Sequence, residues 1–516
     1  MAASEVSTDV LIVGAGPTGL MLAAWLRRLG VDAVLADGKG EPTRESRALG
    51  IQSRTMEIYD QLGVIGPVLD QAQKAFSIKP GYGRRSFGEI PLAVLGEGLT
   101  PHPGLHFLEQ SKNERILLAE LQRRGGDVLW NRRLTGLSAR PGGATAEFSG
   151  PEGPLTVTAR YVVGCDGGSS AVRTMSGIPF EGVTNEYVFY VADALDVQGL
   201  SAATVELRLS GDDFLLAFPL KATEEGQTNH RLIGVLRSTG TADIVEDVAR
   251  GRLSELFGVT YGTSRWFSTY RVHHRVAAAF RAGPVFLAGD AGHIHSPVGA
   301  QGMNTGLQDA HNLAFKLADV LAGRVGEELL DRYNAERRPV ALRLVSVTDR
   351  VFAGVTSGVT TARTLRRILP RLAGPVAVRL LPAAPIAPRF AGYLGQIRIH
   401  YWMSEGAKAA ARGRRGRVVG RRLPWTGPNF APLADAVWQV HSYGDTDAEL
   451  ADALGQALGL PVHQFPAAPA AGLRPDRFYL VRPDGFVAAE APAHRGVSAI
   501  REALPAGWTP TPEARA

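Results

Sequence analysis

The apolar positions at the start of the chain run unbroken through "DVLIV" and stop at "GAGPTG", residues 14 to 19. A short continuous apolar run of this kind reads as a buried strand. "LMLAAWLRRL" then carries a helical pattern and closes at Gly30, and "VDAVLA" reads as a second strand. Residues 9 to 36 therefore predict one βαβ unit with a right-handed crossover. Two further apolar runs, "ARYVVG" and "PVFLAG", end at "CDGGSS" and "DAGH", and a long helical pattern, "GMNTGLQDAHNLAFKLADVL", follows the second. Strands ending in Gly-Asp before helices belong to an α/β domain. Between 186 and 271 the pattern changes: "YVFYVADALDV", "ATVELRLS", "DFLLAFPL" and "RLIGVLRS" read as strands of an antiparallel sheet inserted into that domain. After Leu329 the chain is helical, and Pro and Ala from 381 to 388 mark a boundary. The remainder resembles a small α/β module. The expected division is 1–185 with 272–385, 186–271, and 386–516, with part of 76–105 assignable to the inserted unit.

Length and composition allow this plan. A chain of 516 residues suits two or three domains, and 45% hydrophobic with 21% charged residues is ordinary globular composition. Such a chain encloses a large cofactor without difficulty. Cys165 is the only cysteine, which rules out a disulfide framework and a cysteine metal site. A cytoplasmic setting is expected. No basic segment precedes the first apolar run, so that run reads as a strand and not a signal peptide. No apolar stretch approaches the ~20 residues that span a membrane. The net charge of +6 owes much to "KAAARGRRGRVVGRR", 408 to 422. With no nucleic-acid motif or aromatic platform beside it, that run reads as a solvated face.

Gly14, Gly16 and Gly19 form G-x-G-x-x-G between a strand and a helix, with Pro17 and Thr18 in the same turn. Gly14 permits the tight turn, Gly16 admits a pyrophosphate to the backbone, and Gly19 lets helix and strand pack. The helix N-terminus then faces the phosphates. Asp37 closes the second strand near the spacing expected of a ribose-binding carboxylate. This motif does not separate FAD from NAD. Two later segments do: "VVGCDGGSSAVR", with Asp166 and Arg173, and "VFLAGDAGHIHSPVGAQGMNTGLQDA", with Asp290 after a strand and a Pro-Gly loop before a helix. Asp290 is suited to accept hydrogen bonds from ribityl hydroxyls. The amides near Gly302, Met303 and Asn304 are suited to a flavin pyrimidine edge, where reduced flavin is anionic. His293 and His295 lack an evident third metal ligand, so no metal is expected.

Taken together, the three segments resemble the signatures of the flavin-dependent aromatic hydroxylases, the group typified by para-hydroxybenzoate hydroxylase and phenol hydroxylase. The resemblance runs from residue 8 to about 345, through "LLDRYNAERRPVA". It implies non-covalent FAD, NADPH or NADH as co-substrate, O2, and a small aromatic substrate. It also implies no nucleic-acid or membrane partner and a monomer or homodimer. Residue by residue, Arg47 in "ESRALGIQSRTMEIYDQLG" matches an arginine near the cofactor and Gln110 a glutamine that contacts FAD. Leu134 matches a position whose backbone meets the adenine, and Pro297 falls in the loop before the flavin-facing helix. Asp166 matches a residue shaping the cofactor and nicotinamide approach; fixing its own turn is the other reading. For Arg54, a helix-terminal ion pair stands beside a cofactor role.

One departure bears on mechanism. Phenol hydroxylase carries a catalytic Asp where Leu49 stands, and Leu49 cannot accept a proton. "WFSTYRVHHR" resembles the segment that supplies that family's active-site tyrosine, which maps to Tyr270. Tyr270 is therefore the candidate catalytic residue, holding a phenolate by hydrogen bond, with a core tyrosine as the other reading. His273 and His274 are adjacent on a strand and face opposite sides. More loosely, "VGRRLPW" and "LVRPDGFVA" resemble the thioredoxin-like appendage of phenol and polyketide hydroxylases, here without C-x-x-C. The family mechanism implies hydroxylation of a phenolic or polycyclic aromatic ring by a flavin hydroperoxide. A Baeyer–Villiger monooxygenase and a non-catalytic flavin-binding protein are the alternatives.

Overall fold

The computed structural model describes residues 4–510 except 44–47, 93–95, 212, 223–226, 237–244, 296–300, 357–370, 372, 381–386, 404–407, 410–417 and 446. At 184–187, 272, 348–356 and 387–390 only the backbone is described.

The first apolar run forms the strand Ser4–Val13, whose C-terminal half is fully buried. It lies between two parallel neighbours, Ala33–Ala36 and Leu155–Gly164, at the centre of an eight-stranded sheet. Parallel inner strands are covered on both faces, which is why these segments are apolar without alternation. Val128–Leu129 and Val285–Leu287 extend the parallel part, and the hairpin 133–149 adds an antiparallel edge. Helix Pro17–Arg28 packs on this sheet, and helix Gly302–Leu321 packs against that helix. The α/β pattern, the βαβ unit and the long helix predicted from the sequence are all present.

The second sheet has nine strands. Its centre is antiparallel: Thr263–Ala277, Phe180–Leu195, Asn229–Leu236, Asp213–Leu220 and Thr204–Ser210. Ser77–Tyr82 joins it in parallel beside Thr204–Ser210. Strand 180–195 starts before residue 186 and strand 263–277 runs past 271, so the sheet grows directly out of the first unit and returns to it. Period-two alternation divides its side chains. Phe189, Val191, Ile233 and Val235 fall in one core, and Tyr190, Ala192, Ala194 and Leu232 in the core beneath the short helix Glu246–Arg252. The C-terminal region builds a third sheet in the order 462–465, 439–443, 477–481, 487–492, accompanied by helices Ala448–Leu458 and Gly496–Ala503. No helix among the described residues is long and apolar enough to cross a membrane.

Candidate functional site

The glycine turn explains its own composition. Gly14 has φ +108°, and a Cβ there would lie 2.4 Å from the Cys165 carbonyl oxygen. A Cβ on Gly19 would lie 1.8 Å from the Gly14 carbonyl oxygen. Both positions need glycine for protein packing. Gly16 differs: its backbone is extended, at φ −79° and ψ −175°, and a Cβ would meet no protein atom within 4 Å. Its glycine leaves room for something outside the fold. Pro17 occupies the first position of helix 17–28, and no acidic residue sits in that helix's first turn. The positive end of the helix therefore faces this space unopposed.

The other sequence-predicted residues gather around this turn. Asp37 accepts from the Ala15 amide at 2.6 Å and the Lys39 amide at 2.7 Å. Its carbonyl receives the Arg132 amide, which brings Leu134 to the same end of the site. Leu134 is buried on a strand whose pairing slips at that point. Asp166 accepts from the Ser170 hydroxyl at 2.5 Å and the Val172 amide at 3.1 Å, so it does fix its turn. Burial pushes its carboxyl above the ordinary range, against those hydrogen bonds. Arg173 donates to the carbonyls of Ala291 and Gly168, tying this turn to the Gly-Asp turn. Asp290 is exposed on the 3₁₀ turn Gly289–Ala291. Thr18 joins three segments, since a Cβ on Gly289 or on Gly306 would fall 2.5 or 2.4 Å from its hydroxyl oxygen.

Residues 48–52 form the junction on the far side. The Ala48 amide donates to the Gln110 side chain, and the Gln110 amide donates to the Ala48 carbonyl. Gln110 also donates to Glu114. Asn304 donates to the Gly50 carbonyl at 2.7 Å and accepts from the Gln52 amide at 2.8 Å. Asn113 reaches the Met303 sulfur at 3.5 Å. From the second sheet, Arg231 donates to the Ala48 carbonyl while forming a bidentate ion pair with Asp193 at 2.6 and 2.7 Å. Leu49 is buried in the apolar cluster against which Tyr270 packs. Tyr270 stands opposite Phe189, their rings stacked with centroids 5.7 Å apart.

Arg47 and Pro297 lie outside the described residues. Gly302, at the start of helix 302–321, approaches the His295 ring. His293 donates to Asp309 at 2.7 Å, and no cluster of metal-ligating residues exists among the described residues. Arg54 is an ion-pair residue: it bonds Glu57 at 2.9 Å and the Asp484 carbonyl at 2.6 Å, joining its helix to the C-terminal region. A groove of about 560 Å³ lies between 325–332 and 502–506, and none of the residues above lines it.

The sequence reading missed a stripe of buried polar residues on helix 302–321. Thr305, Asp309, Asn312, Lys316 and Asp319 repeat at four-three spacing and are all buried. Asp309 pairs with Arg337 at 2.6 Å, Lys316 with Glu336 at 2.9 Å, and Asp319 accepts from the Trp438 indole at 3.0 Å. The spacing itself is the signal: five polar residues on one face of a helix that is buried almost throughout require buried partners.

These residues fit a flavin dinucleotide. An open glycine approach at a helix N-terminus suits a pyrophosphate, an exposed carboxylate at Asp290 suits hydroxyls, and a second helix N-terminus at 302 suits an anionic ring edge. Comparison with known proteins agrees. Residues 7–348 match a family model described as an FAD binding domain. The chain is 31% identical to the 12-dehydrotetracycline 5-monooxygenase/anhydrotetracycline 6-monooxygenase of Streptomyces rimosus subsp. rimosus, over 96% of this chain and 98% of that protein. It is 30% identical to the tetracenomycin A2 monooxygenase-dioxygenase of Streptomyces glaucescens, over 94% and 93%. Among solved structures, an anhydrotetracycline hydroxylase from Streptomyces rimosus superposes with a TM-score of 0.76 at 30% identity, covering 98% of this chain and 100% of that one.

Proposed function

The chain belongs to the flavin-dependent aromatic hydroxylases and is an FAD-dependent monooxygenase; from that membership we propose that it hydroxylates a polycyclic phenolic substrate, with electrons from NADPH or NADH and oxygen from O2. FAD, when bound, supplies the oxygen-activating chemistry. The protein holds it, orients the substrate and excludes water.

In this reading Gly14, Gly16, Pro17, Thr18 and Gly19 hold the pyrophosphate, and Asp37 and the Leu134 backbone hold the adenosine end. Asp290 takes the ribityl hydroxyls. The amides at Gly302, Met303 and Asn304 meet the pyrimidine edge, with Gln110, Asp166, Arg47 and Pro297 completing the surround. The units are 1–185 with 272–385 for FAD, 186–271 with strand 77–82 for substrate, and 386–516 as a thioredoxin-like module without a thiol pair.

The observation that carries the substrate side is the junction at 48–52. It bonds Asn304 at the flavin helix on one side, and on the other Leu49 enters the aromatic core of the second sheet, with Phe189, Trp266 and Tyr270. An extended aromatic ring fits between such faces, and its phenolic oxygen would meet the Tyr270 hydroxyl. The named relatives are monooxygenases of 12-dehydrotetracycline, anhydrotetracycline and tetracenomycin A2, which supports the same class. The test is NADPH-dependent O2 uptake with a panel running from simple phenols to anhydrotetracycline. Uptake with product formation is expected on the tetracyclic members; none on any aromatic would overturn the proposal.

A further inference from the structure

The Gly289–Ala291 turn is held from behind by a chain of buried groups that starts in the C-terminal region. Asp309, one turn beyond Thr305 on helix 302–321, accepts from the Gly289 amide at 3.1 Å and from His293 at 2.7 Å. Its other oxygen accepts from Arg337 Nε at 2.6 Å. Arg337, on helix Glu328–Thr356, also donates to the Thr305 carbonyl at 3.0 Å and to the Tyr401 hydroxyl at 2.5 Å. Tyr401 stacks on Phe486, just before strand 487–492 of the third sheet, at 4.0 Å between centroids. One turn before Arg337, the Tyr333 hydroxyl donates to the Leu287 carbonyl at 2.7 Å, so the same helix holds the strand that leads into the turn. Asp309 and Arg337 are fully buried. Burial opposes the Asp309 carboxylate, but Arg337 and His293 outweigh it and hold that carboxyl below its ordinary range.

This arrangement is more than a packing contact. A carboxylate with three donors, two from residues 289–293 and one from helix 328–356, fixes both segments against its own helix, because moving either leaves a buried charge short of a partner. The segments fixed here are the Gly-Asp turn, the flavin-facing helix and the helix that reaches the C-terminal region.

We propose that Asp309 is a positioning residue for the flavin site, setting the Gly289–Ala291 turn and so Asp290, and that Arg337 and Tyr401 lock it in place from the C-terminal side. The inference rests on the reading of Asp290 as a ribityl ligand. It makes the C-terminal region a working part of the flavin site at a distance from it.

The experiment measures FAD dissociation constants by fluorescence titration of apo-protein, with melting temperature and visible circular dichroism of the bound flavin recorded alongside. Asp309→Asn should weaken FAD tenfold or more. Tyr401→Phe keeps the ring stack on Phe486 and removes one hydroxyl; it should weaken FAD about three- to tenfold and alter the flavin dichroism. Trp438→Phe is the control. It breaks the bond to Asp319, about 15 Å further along the same helix, and should lower the melting temperature with FAD affinity within twofold of wild type. If Asp309→Asn does not fold, Tyr401→Phe decides. Wild-type affinity in Tyr401→Phe, or equal weakening in Trp438→Phe, overturns the inference while leaving the flavin reading intact. Wild-type protein that takes up no FAD overturns both.

Discussion

Replacing Gly16 by Ala separates folding from cofactor binding at a single atom. The Gly16 backbone, at φ −79° and ψ −175°, is open to any residue, and its Cβ would meet no protein atom within 4 Å. The fold therefore pays nothing for the methyl group; fewer unfolded conformations even favour Ala by about 0.4–1 kcal/mol. A pyrophosphate that approaches the helix N-terminus along this side meets the methyl group and is displaced from the amides. Each hydrogen bond to a charged group contributes roughly 1.5–3 kcal/mol, so losing one weakens FAD by about 10- to 100-fold. Gly14→Ala is the contrast. There φ is +108° and the new Cβ would lie 2.4 Å from the Cys165 carbonyl oxygen, so the apo-protein itself should lose stability. The assay is urea denaturation of both apo-proteins, followed by FAD titration. Gly16→Ala should match wild type in the first and fail in the second. Wild-type FAD affinity in Gly16→Ala would refute the placement of the pyrophosphate.

Four further outcomes are expected. Asp290→Ala should purify with little flavin and bind added FAD at least tenfold more weakly, because the ribityl hydroxyls lose a charged acceptor; unchanged occupancy would sink that role. Tyr270→Phe should keep its flavin content but form less product per NAD(P)H consumed, and unchanged coupling would leave Tyr270 a packing residue. Arg482→Met strips Glu336 and Asp484 of a buried partner that bonds them at 2.6–2.9 Å, so stability should fall by about 3–5 kcal/mol; a melting temperature within a degree of wild type would contradict this. His441 is buried and its ring is pushed down to about 3 by desolvation and then by His463. The unfolded chain therefore binds a proton on this residue that the folded chain refuses. Its share of stability is complete above about pH 6.5 and is lost as pH falls from there towards 3. His441→Gln should flatten the decline of the urea midpoint between pH 7 and 4.5, and an unchanged slope would assign the acid sensitivity elsewhere.

What could be read from the chain was local in sequence. The glycine turn, the strand before it and the helix after it lie within residues 4–28, and Gly14 and Gly19 follow from backbone sterics that any chain of this fold shares. Helix 302–321 was legible for the same reason, as a continuous 3.6-residue pattern. The junction at 48–52 was not. Ala48, Gly50 and Gln52 act through backbone groups, and nothing in an alanine or glycine announces that its carbonyl will receive Arg231 or Asn304 from 180 to 250 residues away. Strand 77–82 was only partly legible as a sheet member, because its partner 204–210 is remote and pairs in parallel.

The buried polar stripe falls between these cases, and it changes how the C-terminal region is understood. Read as a sequence, 386–516 is a separable module. In the fold its Arg482 bonds Glu336, its Asp484 reaches Asn312, its Trp438 reaches Asp319 and its Arg422 reaches Glu57. A region that merely rested on its neighbour would meet it with apolar or solvated groups. Here buried charges on each side take part of their hydrogen bonding from the other, so separating the two would leave carboxylates short of partners that burial makes them need. The same helix that carries Asn312, Lys316 and Asp319 into that seam begins at Gly302, against the proposed flavin edge. The polar stripe thus ties the helix at the proposed cofactor site to the C-terminal region.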